Sequence, residues 1–460
     1  MSRSVVSIIV FFLLLIFFIN GFSTSFSSHD ISNLAYVLAL GVDIGENAKI
    51  KVSAQFSTPD SSSPQGGSSE SSGKIVLVSG EADTLFNALN LINSYIGKEL
   101  NLSHCNLIVF SEDFAKQGIS TQIYSFINNE EIRPSTNVLI SKCPAYDYLD
   151  NVKPNLETIT AQYYDTFSIS NRFTGYFENI TIGDFYDKLS SKATSPIAIL
   201  GGLDVTAREK IKSDSDSSSD NSKSSSSSNN SKSSSSSNNS NSKSSEKSNS
   251  DNTSPKVNSS SKKDIITSPE NLIAGSSSIE GKLGAENIGI AVFDGGKLCG
   301  ELTAIETICH LFVCNSIDSC IIAIDNPFRE DEKAELNLSP KKDSKVSVEI
   351  KDDIPHISVE LSLEAYGLTL DEGINYETHS SVDMLSKNAK NYMEEQLNNY
   401  FKKTSKQYGT DIDAFAVKAL HNFDTIQDWR EYNWPEKYKN AEFNISVDIN
   451  VISSLLITKT

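Results

Sequence analysis

Apolar and polar positions alternate over the first third of the chain in short runs. Leu34 to Leu40 and Lys49 to Phe56 predict two strands, joined through Gly41-Val42-Asp43 and a turn at Gly45-Glu46-Asn47. A polar loop from Pro59 to Gly73 precedes a third strand, Lys74–Ser79. From Thr84 to Ile96 the period changes to that of a helix. Leu85, Ala88, Leu89 and Ile92 share one face, and Asp83 is placed to cap it. Asn106–Phe110 predicts a strand, Glu112–Gln117 and Ile119–Asn128 predict helices, and Thr136–Ser141 predicts another strand after Arg133-Pro134. The mixture is α+β and departs from a strict βαβ alternation.

Beyond Ala161 the helical segments carry Tyr163, Tyr164, Phe167, Phe173, Tyr176, Phe177, Phe185 and Tyr186, the composition of a core or, alternatively, of a recognition surface. Structure resumes near Ile279, with a strand Ile288–Phe293, a turn at Asp294-Gly295-Gly296 and a helix through a group of cysteines. Lys345–Ile350, His356–Ser362 and Tyr366–Leu370 then predict strands. A long helix follows from about Val382 to Tyr408. Its Leu385, Ala389, Met393, Leu397 and Phe401 recur every four residues and form one stripe, suited to lying across a sheet. A second helix is expected over Asp411–Asn422. Trp429 and Trp434 bracket an irregular turn, and strands are expected over Phe443–Ile452 and Leu455–Thr458.

Two segments stand outside this pattern. Val5 to Ile19 holds fifteen residues without a charge behind a single Arg3, the pattern of a secretory signal. Extended to Phe22 it gives about 27 Å of helix, just short of a hydrocarbon core of about 30 Å, so an uncleaved anchor is also consistent. From Ser213 to Ser261, 27 of 49 residues are Ser, and a nine-residue unit at Asn221–Asn229 recurs at Asn230–Asn238. So little apolar surface cannot offset the entropy of ordering the chain, and the segment is expected to be disordered.

Charge narrows the partners. The chain has 460 residues, about three domains' worth, and a formal charge of −19. The serine tract's acids and lysines cancel, so this excess lies on the remaining residues and argues against nucleic acid as a partner.

Candidate chemistry is sparse. Cys105, Cys143, Cys299, Cys309, Cys314 and Cys320 form no dense disulfide framework. Cys309-His310 with Cys314 and Cys320 offers zinc-ligand types, but there is no Cys-x-x-Cys and the surroundings are apolar, so buried structural thiols are expected. No phosphate-cradling glycine loop, nucleophile elbow or His-Glu-x-x-His is present. His29, His104, His310, His356, His379 and His421 are scattered. The sequence supports no enzyme, no catalytic, cofactor-binding or metal residue, and no cofactor.

Several stretches in order resemble one family. They are Asp30-Ile-Ser-Asn-Leu-Ala-Tyr-Val-Leu-Ala-Leu-Gly-Val-Asp43, Ser79-Gly-Glu-Ala-Asp-Thr84, Leu102-Ser-His-Cys-Asn-Leu-Ile-Val-Phe110 and Glu131-Ile-Arg-Pro134. Downstream come Gly289-Ile-Ala-Val-Phe-Asp-Gly-Gly-Lys-Leu-Cys-Gly-Glu-Leu302, Asp411-Ile-Asp-Ala-Phe415, Trp429 and Trp434. Together they are similar to the spore germination receptor C subunits of the Ger(x)C type. The resemblance implies an α+β protein of three mixed α/β domains with antiparallel-rich sheets. The boundaries expected are a signal or anchor at 1–25, a domain at 29–160, a middle domain at 161–340 interrupted by the disordered insertion 207–275, and a domain at 341–460. It further implies a non-catalytic subunit at the outer face of the spore inner membrane, assembled with membrane-spanning A and transporter-like B subunits to respond to nutrient germinants. Two features depart from the family. Phe22 stands where the lipidated lipobox cysteine belongs, leaving the apolar segment as the anchor, and the serine tract replaces a shorter connection. A diverged secreted or surface-anchored binding protein and an exported enzyme are the alternatives.

Overall fold

The computed structural model describes residues 33–58, 74–153, 163–164, 166–191, 193–220, 268–368 and 379–452, together with Phe11. Residues 1–25 apart from Phe11, most of the serine tract, the 59–73 loop and the strand expected at Leu455–Thr458 lie outside them. Among the described residues no helix is long and apolar enough to cross a membrane.

The first three strands, β1 (Leu34–Ile44), β2 (Ile50–Thr58) and β3 (Lys74–Ala82), form an antiparallel meander. Helix α1 (Leu85–Ile96) lies on it with Leu85, Ala88, Leu89 and Ile92 buried, as its period predicts. Asp83 is not its cap. Thr84 holds the N-cap position and makes no side-chain capping bond. Short β4 (Glu99–Asn101) runs parallel to the start of β1. Next come β5 (Leu107–Ser111), helices α2 (Glu112–Gln117) and α3 (Ser120–Ile127), β6 (Asn137–Ser141), helices α4 (Ala145–Asn151) and α5 (Ile182–Ser191), and β7 (Ile197–Leu203). β5, β6 and β7 stack in parallel beside β1. After helix α6 (Val205–Asp220), the hairpin β8 (Ala285–Asp294) and β9 (Lys297–Leu302) closes a nine-stranded sheet. Its order is β3-β2-β1-β5-β6-β7-β8-β9, with β4 beside β1.

Antiparallel pairs therefore frame a parallel centre. The centre departs from the antiparallel-rich sheet expected, and the helices after β5 and β6 are the crossovers that make it possible. The sheet also joins residues assigned from sequence to a domain at 29–160 with residues assigned to a middle domain. Both ends of the segment expected to be disordered at 207–275 are built. Helix α6 runs to Asp220, and Ala274 is buried beneath the large sheet's core. Arg208 ties the two ends, its guanidinium donating to the carbonyls of Ser277, at 2.7 Å, and Gly275.

The second sheet has the order β10-β11-β12-β13. Helix α7 (Ala304–Cys314) leads into β10 (Cys320–Asp325), and β11 (Lys333–Lys351) and β12 (Ile354–Gly367) form one long hairpin. The three shorter strands expected here are two, and β10 with the first half of β11 draws residues 320–340 into the carboxy-terminal sheet. Helix α8 (His379–Lys402), extended by a π turn at Lys403–Tyr408, precedes β13 (Glu442–Ile452), which pairs in parallel with β12. The stripe Leu385, Ala389, Met393, Leu397 and Phe401 is buried throughout, so the helix lies across the sheet as its spacing predicts.

Three short helices complete this half. They are α9 (Phe415–Ala419), α10 (Ile426–Tyr432) and α11 (Trp434–Tyr438). The helix expected from Asp411 begins four residues later, because Asp411 uses its side chain as an acceptor for the turn that follows. One hydrophobic core is continuous from α1 and the meander through α7 to α8 and β13. A smaller one, under α4, covers the opposite face of β1, β5 and β6. Tyr408 stitches the sheets together. Its hydroxyl donates to Glu301 O at 2.9 Å and accepts from Glu301 N at 3.1 Å, while its ring lies where a Cβ on Gly300 would fall.

Candidate functional site

The residues that carry the family resemblance are ties of the fold. Asp43, at the end of β1, accepts from the amides of Ala145 and Tyr146 at 2.7 and 3.0 Å and fixes the start of α4. Gly41 lets that helix close on the strand, since a Cβ there would sit 3.1 Å from Leu149 and 3.2 Å from Ala145. Glu131 accepts from Leu102 N at 2.6 Å, and Arg133 reaches Asn106 Oδ1 at 2.9 Å, so the Glu131–Pro134 motif positions the entry to β5. Gly289 adopts φ 98°, a left-handed backbone reserved for glycine, where β8 passes under Leu302.

The densest convergence of chemical groups lies where α7 meets the end of α8 and the segment before α5. Thr303 and Glu306 start α7 with a reciprocal capping box. One face of the helix then presents His310 and, one turn on, Cys314. Both ring nitrogens of His310 are engaged. Nε2 lies 2.7 Å from Glu178 Oε2, in the chain before α5, and Nδ1 lies 2.8 Å from Asp413 Oδ1 and 3.0 Å from the Tyr400 hydroxyl. Tyr400, in the last turn of α8, donates to Asp413 at 2.8 Å. Cys314 Sγ is 3.9 Å from Nδ1 and 3.8 Å from Asp413 Oδ1.

The middle of this cluster is buried. The His310 side chain is 1% exposed and that of Asp413 0%. Burial alone would push the imidazole down, but Cys314, Glu178 and Asp413 outweigh it and hold its pKa well above the ordinary histidine value. The same pairing holds Glu178 below the usual carboxylate range against the pull of burial. Both ring nitrogens are engaged within the cluster, and the arrangement is one that fastens.

Two residues away, Asp411 fastens the next layer. It accepts from Phe415 N at 3.0 Å, Ala416 N at 2.7 Å and the Trp434 indole at 3.0 Å. Burial pushes its carboxyl up to about 7. The Asp411–Phe415 motif and Trp434 thus form one polar knot. Sequence reading singled out His310 and Cys314 among the cysteine cluster but found no partner for them, because Asp413 lies 103 residues and Glu178 132 residues from His310. The remaining signal was the His-x-x-x-Cys spacing on a helix, which puts both side chains on one face. All six cysteines are free, with Cys105, Cys309 and Cys320 buried.

Among the described residues, cavities open on the surface at several places. One of about 310 Å³ lies beyond the carboxyl ends of β1, β5 and β6, the usual ligand position in open parallel sheets. It is lined by Asp43, Glu112, Lys142 and Asp147, and Lys142 is held between Glu112 at 3.0 Å and Glu301 at 2.6 Å. A second, about 610 Å³, is lined by Tyr163, Phe177 and Ile288, with Glu286 beside them. A third, about 720 Å³, is an apolar groove between Ala193 and the Val417, Leu420, Ile426 and Trp429 side chains.

Two family models match the chain in order. The model described as "Spore germination protein N-terminal domain" matches residues 27–203, and the one described as "Spore germination B3/ GerAC like, C-terminal" matches residues 288–454. The chain belongs to the spore germination receptor C-subunit family, and with it to the proteins of spore germination. Among solved structures it is similar to one titled "Crystal Structure of the GerBC protein", at 15% identity and a TM-score of 0.48, covering 90% of this chain and 97% of the other. Among curated proteins none matches.

Proposed function

We propose that this chain is the non-catalytic C subunit of a nutrient germinant receptor, held at the outer face of the spore inner membrane and assembled with a membrane-spanning A subunit and a transporter-like B subunit. The observation that carries the reading is the ordered match of both family models on either side of the serine tract. The ties described above agree with it, since the family's motifs are spent on holding the fold and leave recognition to the surface.

The test is affinity purification of the tagged full chain from detergent-solubilised spore membranes. Recovery with two polytopic membrane proteins, and loss of the nutrient response on deleting the gene, is the expected result. Recovery alone, with germination unaffected, would favour a diverged surface-anchored binding protein, a reading to which the missing lipobox cysteine lends weight.

Anchoring has its own expected outcome. With Phe22 at the lipobox position there is no thiol to acylate, so metabolic palmitate should leave the chain unlabelled while it still sediments with membranes. A single apolar helix buries more hydrocarbon than one acyl chain and suffices for this. Label at the amino terminus would overturn it.

A further inference from the structure

We infer that His310, Cys314 and Asp413 form a structural site for a divalent zinc-type cation. Their donor atoms, Nδ1, Sγ and a carboxylate oxygen, lie within 4.8 Å of one another. Tetrahedral coordination with bonds of about 2.0–2.1 Å to nitrogen and oxygen and about 2.3 Å to sulfur sets the donors roughly 3.3–3.5 Å apart. The observed separations are 2.8 Å for Nδ1 to Oδ1, 3.8 Å for Sγ to Oδ1 and 3.9 Å for Sγ to Nδ1. Each edge reaches the tetrahedral value by a movement of about half an ångström, within the reach of a side-chain rotation.

Three further observations point to a metal. First, a thiolate, an imidazole and a carboxylate together are the ligand types zinc accepts, and softer sulfur disfavours magnesium or calcium. Second, Glu178 sits 2.7 Å from Nε2, the nitrogen that would face away from the ion. A carboxylate on the far nitrogen is how ligating histidines are oriented and made more basic. Third, the Tyr400 hydroxyl touches both Asp413 oxygens at 2.8 Å and Nδ1 at 3.0 Å, so it orients the carboxylate and supplies a further oxygen beside the site.

Charge balances without any other group. Binding displaces one proton from Nδ1 and one from the Cys314 thiol, and no bond is otherwise made or broken. The cation thereby exchanges two protons for two positive charges, and the net charge of the buried cluster is unchanged. Because the ligands come from α7 and from the loop between α8 and α9, the ion would clasp α7 to the segment that follows α8. The role is structural, since the His310 and Asp413 side chains are 1% and 0% exposed and the Tyr400 hydroxyl stands beside the fourth coordination position.

The test uses the detergent-solubilised full chain, expressed with zinc in the medium and freed of loosely held metal by gel filtration. Elemental analysis should find about one zinc per chain. Cobalt(II) added to the metal-free protein should give the sulfur-to-cobalt charge-transfer absorption of a thiolate ligand. Both should be lost in Cys314→Ser and retained in Cys309→Ser, whose thiol is one residue from His310 but outside the cluster. Wild-type protein with neither zinc nor the cobalt band overturns the inference, whatever the folding state of the variants. So does a band that survives in Cys314→Ser.

Discussion

Replacing Phe401 with alanine should lower the unfolding free energy by roughly 3–5 kcal/mol, the range for deleting a fully buried aromatic ring and leaving a cavity. Phe401 is 1% exposed at the end of the α8 stripe. It stacks on Phe443 of β13 at 4.5 Å with the rings 4° from parallel, and it meets Tyr400 at 5.0 Å and Phe415 at 5.8 Å. Removing it therefore loosens the helix from the sheet and from the segment that carries Asp413. The comparison is Asn399, two positions earlier and exposed, whose replacement by alanine should cost under about 0.5 kcal/mol. Urea unfolding followed by tryptophan fluorescence reads both variants in the right place, since Trp434 lies 5.9 Å from Tyr438 and Tyr438 lies 6.2 Å from Phe443. Equal damage from the asparagine change would mean that the helix buries a different face.

The features that were legible before the structure are local ones. The four-residue recurrence from Leu385 to Phe401 located a buried stripe, Leu85 to Ile92 located another, and Asp294-Gly295-Gly296 located the β8–β9 hairpin, because each is decided by residues a few positions apart. The parallel centre of the large sheet was not legible. β5, β6 and β7 are buried at every position, so they read as plain apolar runs with no alternation to reveal which neighbours they pair with. The strands expected at His356–Ser362 and Tyr366–Leu370 are continuous through β12, and Ser362 and Glu364 do not interrupt it. In the sheet they sit on the half-exposed face, while Leu361, Leu363 and Ala365 point to the core.

The polar centre shows the same division. His310 and Cys314 could be named from the sequence, and so could the Asp411–Phe415 motif, but nothing in either stretch says that they meet. Their contact follows from the way α8 crosses the second sheet and returns the chain to α7. A metal reading of Cys309-His310 with Cys314 and Cys320 rests on spacing alone, and in the fold Cys309 and Cys320 face the apolar core while Cys314 turns toward His310.

Asp411→Ala should cost about 2–4 kcal/mol, because it strips the acceptor from three buried donors, at about 1–3 kcal/mol for each group left unsatisfied and with part regained by relaxation. Asp411 itself is 3% exposed, and the donors are the first two amides of α9 and the indole of Trp434. One term opposes the loss. Burying a carboxylate is unfavourable, which is why this one is raised to about 7, and alanine removes that penalty along with the bonds. Asp411→Asn separates the two effects. Its amide oxygen can take the place of Oδ2, which serves both Ala416 N and Trp434 Nε1, while its amino group sacrifices only the bond from Phe415 N. The asparagine variant should therefore lose about 1–2 kcal/mol, the cost of one unsatisfied amide offset in part by the relieved burial of charge, and keep the wild-type Trp434 emission. The alanine variant should unfold earlier and shift that emission. Should asparagine prove as damaging as alanine, the negative charge of Asp411 rather than its acceptor geometry would be what holds α9 and Trp434 in place.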